Sequence, residues 1–397
     1  MFLHYNVSLR NHFWLQKLPA HSYFRDKRVM FSICSASIQA QREKLVPLSK
    51  DKKVVGVGMA GLDFIAKVSA FPEPDQKLRT LDSSIQGGGN AANTLTCLRR
   101  LGINAVLVTK IGNDIAGQSI LEEFEREDMD TRFIKRQEAT QSAFTYVIVD
   151  TSSLTRTCIH TPSKAELTSE EVDLECLNGA YLVHLDGRHP SAALKIAQHA
   201  KDRGIPIVLD VERRREGLES LLYLADYIIT NAEFPLEYFG QLNRLNCLEK
   251  LLDSYAAQFV ISTLGKEGCV MMSRLDSDKE EKTANLSHIP IMAVKTTFPL
   301  PTPCRECAPK YRLIDCPCWP VEHVVDTTGA GDAFIGGIIY AILHRFDQEH
   351  MLYFASRVAA EKLAALGARK GLAYIDNLEP WITTNIKERN DNNIADS

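Results

Sequence analysis

Apolar residues along this chain alternate between two periods. Short, continuous, β-branched runs recur at Lys53–Met59, Ala105–Lys110, Tyr181–Leu185, Ile205–Leu209, Tyr227–Thr230 and Gln258–Thr263. Runs of this length without polar alternation mark strands covered on both faces. Between and after them lie stretches of helical spacing: Ala91 to Leu101 before Gly102, a segment from Gly117 to near Asp128, one from Pro190 to about Arg203, and Asp347 to Leu366 before Gly367. Glycine just past a helix is the usual C-terminal cap. Strands and helices alternating at these lengths predict an α/β fold with a parallel sheet and right-handed crossovers. Four further segments have strand character. Phe64–Val68 and Leu78–Ile85 flank a Pro-rich turn, and Ala143–Val149 and Arg156–His160 follow later.

The chain is organised around Val324-Val325-Asp326-Thr327-Thr328-Gly329-Ala330-Gly331-Asp332. An apolar β-type run, His323 to Val325, is expected to enter it. A helix leaves it, with Phe334, Ile335, Ile338, Ile339 and Ile342 at helical spacing. The first turn of a helix has unpaired N–H donors and a partial positive charge, so it attracts anions. Gly329, Ala330 and Gly331 let a ligand approach that backbone. Asp332 in the same turn is read as a base for an attacking hydroxyl, where an ordinary aspartate would only cap. A second glycine-rich start, Gln86-Gly87-Gly88-Gly89-Asn90-Ala91-Ala92-Asn93, offers Asn90 and Asn93 as donors and acceptors for hydroxyl groups. Asp63 follows the first strand, and ligands in open α/β sheets lie beyond the carboxyl ends of strands. Asp186 and Asp210 fall at such ends too, and Arg188 of His-Leu-Asp-Gly-Arg either meets a phosphate or pairs with a carboxylate.

These two motifs closely resemble the signatures of the ribokinase-like (PfkB) family of sugar and nucleoside kinases, and Gly-Gly-Asn-Ala-x-Asn looks most like the ketohexokinase branch. The resemblance implies a three-layer α/β/α sandwich with a mostly parallel central sheet and a small β lid, formed by strands near 62–86 and 142–160. It implies that Asp332 is the general base and that Gly329, Ala330 and Gly331 hold the transferring phosphoryl group. Asp63, Gly88, Gly89, Asn90 and Asn93 would bind the acceptor. Asn231, Thr263, Gly265, Gly268 and Thr328 would bind ATP, with Mg²⁺ and a monovalent cation (K⁺) as further cofactors. Asp114, in a Gly-x-Asp-x-x-Gly pattern, is first a helix cap. The family's Asn-x-x-Glu is out of register here, as Asn231-Ala232-Glu233. The implied partners are a small sugar and ATP, with a homodimer through the lid. Ketohexose or fructose is the first acceptor, ribose the second and a nucleoside the third. Plastid fructokinase-like proteins, structural or regulatory partners of transcription machinery, resemble the family as well; the intact Gly-Ala-Gly-Asp favours an enzyme.

Composition changes the picture only at the edges. The 397 residues are 45% hydrophobic and 24% charged, with a net charge of −4, which points away from nucleic acid. No apolar run reaches the roughly 18 residues that a membrane span needs. Before Asp26 the chain has no acidic residue but has Arg10, Lys17 and several His and Ser, which predicts an organelle transit peptide over 1–52, cut between Ile33 and Lys52, with a plastid address. The kinase domain is expected over 53–380 and a disordered tail over 381–397. Lys295 to Trp319 is proline-rich, is read as an insert (295–320) without regular elements, and holds Cys304, Cys307, Cys316 and Cys318. Four thiolates suit zinc, but the tight Cys-x-Cys pair favours a flexible loop with free thiols.

Overall fold

Successive side chains of a strand face opposite ways, and in strand β1 (Lys53–Val57) both directions are apolar. Val54 enters one core while Val55 and Val57 enter another, and all three are fully buried. The computed structural model describes residues 52–153, 155–275, 295–297 and 310–378. It sets β1 inside a ten-stranded sheet, between β4 (Asn104–Gly112) and β8 (Ala180–Leu185). Beyond β4 lies β5 (Ile134–Gln137), and beyond β8 come β9 (Ile207–Val211), β10 (Tyr227–Thr230) and β11 (Phe259–Thr263), all parallel. An antiparallel edge, β12 (Cys269–Arg274), β14 (Tyr311–Cys316) and β13 (Lys295–Thr297), completes the sheet.

Helices α1 (Asn90–Arg100), α2 (Ile115–Arg126), α7 (Ala330–Leu343) and α8 (Gln348–Lys362) bury Leu95, Phe124, Ile338 and Phe354 against one face. Helices α3 (Pro190–Asp202), α4 (Leu218–Leu224), α5 (Phe234–Phe239) and α6 (Arg244–Ser254) bury Ile196, Leu221, Phe234 and Leu248 against the other. The result is the three-layer α/β/α sandwich. Asp114 caps α2, accepting from Gly117 N at 2.7 Å.

A separate four-stranded sheet has the order β3 (Asp82–Gly88), β2 (Gly61–Val68), β6 (Ala143–Asp150), β7 (Thr155–Thr161). The β2–β6 pair is parallel and the outer pairs are antiparallel. Its register places Gln86, Asp63, Thr145 and His160 in one row, and Ile85, Phe64, Tyr146 and Ile159 in another on the opposite face. Ile65, Val147 and Val149 pack on Leu366 and Val325, so this sheet covers the loop that leads into α7.

Two expectations are corrected here. His323–Val325 is not a strand: Val325 N instead donates to Leu363 O at 2.8 Å, which ties the approach to the end of α8. The segment 295–320 is not irregular throughout, because Lys295–Thr297 and Tyr311–Cys316 are sheet strands. Pattern reading missed them because the prolines lie between and after the strands. Cys316 is fully buried opposite Cys269, so it belongs to the core and not to a zinc set. Cys304, Cys307, the leader and the tail lie outside the described residues.

Candidate active site

Helix α7 begins at Gly329, whose φ of 78° is left-handed and turns the chain sharply into the helix. Ala330 N donates to Thr327 O at 3.2 Å, whereas the N–H groups of Gly331 and Asp332 have no acceptor among the described residues. A Cβ on Gly331 would meet no atom within 4 Å, so open space lies beside that residue. The turn is held from below. Asp326 accepts from Thr328 N at 2.9 Å, Thr328 Oγ1 at 2.8 Å and Gly367 N at 2.7 Å. The Thr328 hydroxyl, expected at the nucleotide, thus donates to Asp326 and helps to shape the turn. The fully buried Lys362 ammonium donates to the carbonyls of Asp326 (2.8 Å) and Ala365 (3.1 Å). Burial pulls its pKa down to about 8.

Asp332 stands at the edge of this open space. Burial pushes its pKa up to about 7, opposed by a hydrogen bond from Asn93 and reinforced by the charge of Glu212. Asn93 Nδ2 donates to Asp332 Oδ2 at 2.8 Å, and Thr94 Oγ1 to Asp332 O at 3.3 Å. This contact exists because α1 and α7 approach closely: a Cβ on Gly336 would lie 2.8 Å from Cys97 Sγ. The other end of the Asn93 amide accepts from Arg369 Nε at 3.0 Å. Arg369 is 2% exposed and is itself fixed by Gly88 O, the Glu123 carboxylate and the Phe124 ring. Glu123 also accepts from Gly87 N at 2.6 Å. Asn93, expected to bind the acceptor, thus bridges Asp332 and Arg369 in this structure. Arg369, Glu123 and Lys362 were missed from sequence. Their only signal was a charged residue within an apolar stretch, and such residues are usually solvated.

Asp63, on lid strand β2, is 7% exposed, and burial pushes its pKa up to about 6. Arg369 and a hydrogen bond from Thr145 work the other way. Gly88 faces it so closely that a Cβ would lie 2.3 Å from the carboxylate. Asn90, beside Gly89 at the start of α1, donates to Asp210 Oδ2 at 3.2 Å. Asp210 is held well above the carboxylate range by burial and by the charges of Glu212 and Asp332. Asp186 is structural: it accepts from Met59 N, Ala91 N and Arg188 N at 2.9–3.2 Å. Asn93 meets Asp332 and Asn90 meets Asp210, while the charge of Asp63 acts on Asp332 and that of Asp332 on Asp210, so these side chains lie close to one another.

The expected nucleotide residues lie at the carboxyl ends of β10 and β11. Asn231 donates to Glu212 O at 3.0 Å and accepts from Phe234 N at 2.8 Å, so its side chain fixes the β9 exit and starts α5. Thr263 Oγ1 donates to Thr230 O at 3.2 Å. Gly265 and Gly268 shape the β11–β12 turn, both at positive φ. Among the described residues no group of three or more His, Cys, Asp or Glu side chains is arranged to hold a metal, and no helix is long and apolar enough to cross a membrane.

Free donors at a helix start stand beside a carboxylate whose pKa burial raises to about 7, an arrangement suited to an anion and a hydroxyl. The comparison with known proteins makes this specific. The chain belongs to the pfkB family of carbohydrate kinases, whose family model matches residues 51–297 and 310–373. The unmatched 298–309 falls within the proline-rich segment. Mouse (Mus musculus) ketohexokinase is 24% identical over 330 residues, covering 80% of this chain and 98% of its own length. An ATP-dependent ribose-1-phosphate kinase of Halopiger xanaduensis is 25% identical over 327 residues, covering 80% and 94%. The crystal structure of a putative ribokinase II from E. coli with ATP and Mg²⁺ superposes with a TM-score of 0.64 at 19% identity, covering 84% of this chain and 99% of its own. The protein is a phosphotransferase with an alcohol acceptor, within a family that includes sugar and nucleoside kinases.

Proposed function

We propose that the protein transfers the γ-phosphoryl group of ATP to a hydroxyl of a small sugar, a ketohexose before ribose, with Asp332 as general base. The observation that carries this reading is the pairing of Asp332 with the free N–H groups of Gly331 and Asp332 at one helix start. The acceptor oxygen forms a bond to Pγ, the bond from Pγ to the bridging oxygen breaks, ADP leaves, and the acceptor proton passes to an Asp332 oxygen. Phosphoryl transfer needs positioning and charge stabilisation more than a strong base. The helix start supplies the charge, Asn93 aims the carboxylate, and Asp63 and Asn90 are placed to hold acceptor hydroxyls.

Magnesium, bound with the nucleotide, would neutralise phosphate charge. Asp210 and Glu212 would hold it, since such sites combine one or two carboxylates with phosphates. Their fit rests on the crowded negative charge at Asp210, which only Asn90 relieves by a side-chain hydrogen bond. Potassium is a different matter. Carbonyl oxygens of the kind it takes, those of Asp326 and Ala365, already receive the Lys362 ammonium. We read the protein as carrying this cation in its own chain. The acid-poor leader supports a plastid address, which a fluorescent fusion of residues 1–60 tests: uniform cytosolic signal would refute it.

The test of the reaction is ATP turnover by the full chain against a panel of ketoses, aldoses and nucleosides. A sugar is expected to be the best acceptor. Asp332→Asn should lower kcat about 10²–10⁴-fold with little change in acceptor KM. Undiminished turnover in that variant would overturn the mechanism.

A further inference from the structure

A cleft of about 250 Å³ opens beside Met59 and Ala60, where β1 passes into the lid strand that carries Asp63. Its wall includes His160, Arg188 and Arg215, none of which the reaction above uses. Arg188 and Arg215 come from the loops after β8 and β9, and His160 from lid strand β7. Among the described residues neither guanidinium has an ion pair or a side-chain hydrogen bond, though Glu166 and Glu216 also line the cleft. Lys110 lines it as well, but is paired with Glu171. His160 adds an independent observation: its Nδ1 is 3.2 Å from Thr145 Oγ1, while its buried Nε2 has no partner. A buried polar atom without a partner is costly and calls for a ligand or water. Burial together with Arg188, Arg213 and Arg215 holds His160 below its ordinary pKa, and burial with Arg188 lowers Arg215, while Asp186 and Glu212 pull Arg215 the other way.

The register ties this cleft to the acceptor site. Asp63, Thr145 and His160 stand in one row across three adjacent lid strands. Strands are roughly 4.8 Å apart, so Asp63 and His160 are separated by about 10 Å, the reach of one phosphorylated sugar. Arginine forks match the oxygens of a phosphate monoester in two-point contact.

We propose that the acceptor is a sugar already bearing a phosphate monoester, held by Arg188, Arg215 and His160 at the end of the acceptor site away from Asp332. The product is then a sugar bisphosphate, so a phosphorylating or phosphorolytic reaction must supply the substrate. This rests on the sugar-kinase reading above and narrows it.

The experiment compares kcat/KM of the full chain, with ATP and magnesium, for matched pairs: fructose and its 1- and 6-phosphates, ribose and its 1- and 5-phosphates, and the corresponding sugar acids. A phosphate monoester should exceed its neutral sugar by at least about 10²-fold, as two charge-assisted contacts allow. Arg188→Gln with Arg215→Gln should remove most of that preference and leave the neutral sugar within about threefold of wild type, since losses should be confined to the contacts removed. A neutral sugar preferred by wild type, with Asp332→Asn inactive on it, would overturn the inference and leave the kinase reading standing. A sugar acid preferred over the phosphate would overturn the assignment of a phosphate. If nothing is turned over, the kinase reading fails, and the pocket is judged by melting temperature. Sugar phosphates should raise it in wild type and not in the double variant, and equal response in both would sink the proposal.

Discussion

Asp332 holds a proton in the folded protein over a pH range in which the unfolded chain has lost it, because its pKa rises from 3.8 to about 7 on folding. The sign follows from linkage. The stability this group contributes is fully present below about pH 4 and is lost as pH rises through about 7. Asp332→Asn cannot titrate, so it should melt above wild type at pH 8 and close to it at pH 4; a variant that melts lower at pH 8 would contradict the burial account. Activity runs the other way, because the base must be deprotonated: kcat/KM should climb with pH and level off above about 7. Asp332, Asp63 and Asn90 were legible from sequence as residues in glycine-rich or strand-end positions. Arg369 was not, because its partners Asn93, Gly88 and Glu123 are remote in the chain and meet it only in the folded core.

Helix α7 and the turn before it act as one element. Gly331 occupies an ordinary helical position with open space above it, so Gly331→Ala should fold at least as well as wild type, by about 0.5–1 kcal/mol of helix preference. If the phosphoryl group binds at this helix start as proposed, the added methyl crowds it, and kcat/KM for ATP should fall about 10²-fold or more, as for loss of one oxyanion donor. Unchanged kinetics would show that the phosphoryl group binds elsewhere. Lys362 gives the same element its fixed cation. Turnover of wild type should be equal in potassium, sodium and tetramethylammonium buffers. Lys362→Met leaves two buried carbonyls without their donor, at a cost of about 1–3 kcal/mol each, readable by denaturant unfolding. Stimulation of wild type by potassium would contradict this reading. The strand entry expected at His323–Val325 failed for a reason at this scale: the run is apolar, but its backbone is claimed by Leu363 O.

The lid presents an apolar row to solvent, with Ile85 65%, Tyr146 51% and Ile159 52% exposed around Phe64. An exposed apolar sheet face of this kind calls for cover, and we read the cover as the lid of a second copy. Sedimentation should show a dimer for wild type and a monomer for Tyr146→Asp with Ile159→Asp; a wild-type monomer at micromolar concentration would refute it. At this scale much was written in the chain. The order of strands and helices, the two glycine-rich helix starts and the lid segments follow from local periodicity, turn chemistry and motif form, which need only neighbouring residues.

The sequence by itself therefore determined the alternation of strands and helices in a parallel sheet, the lid strands and the helix start that carries Asp332. Each depends on side-chain alternation or on a helix start, both local properties of a polypeptide. Only the tertiary structure decided that Asn93 hydrogen-bonds to Asp332, and that Lys362 is a buried ammonium under the turn before α7. Only it decided that Tyr311–Cys316 completes the sheet and that His160 joins Arg188 and Arg215 at one cleft. In each case the partners lie tens to hundreds of residues apart. What selects them is the energy of burying polar and charged groups, which exists only once the layers have closed.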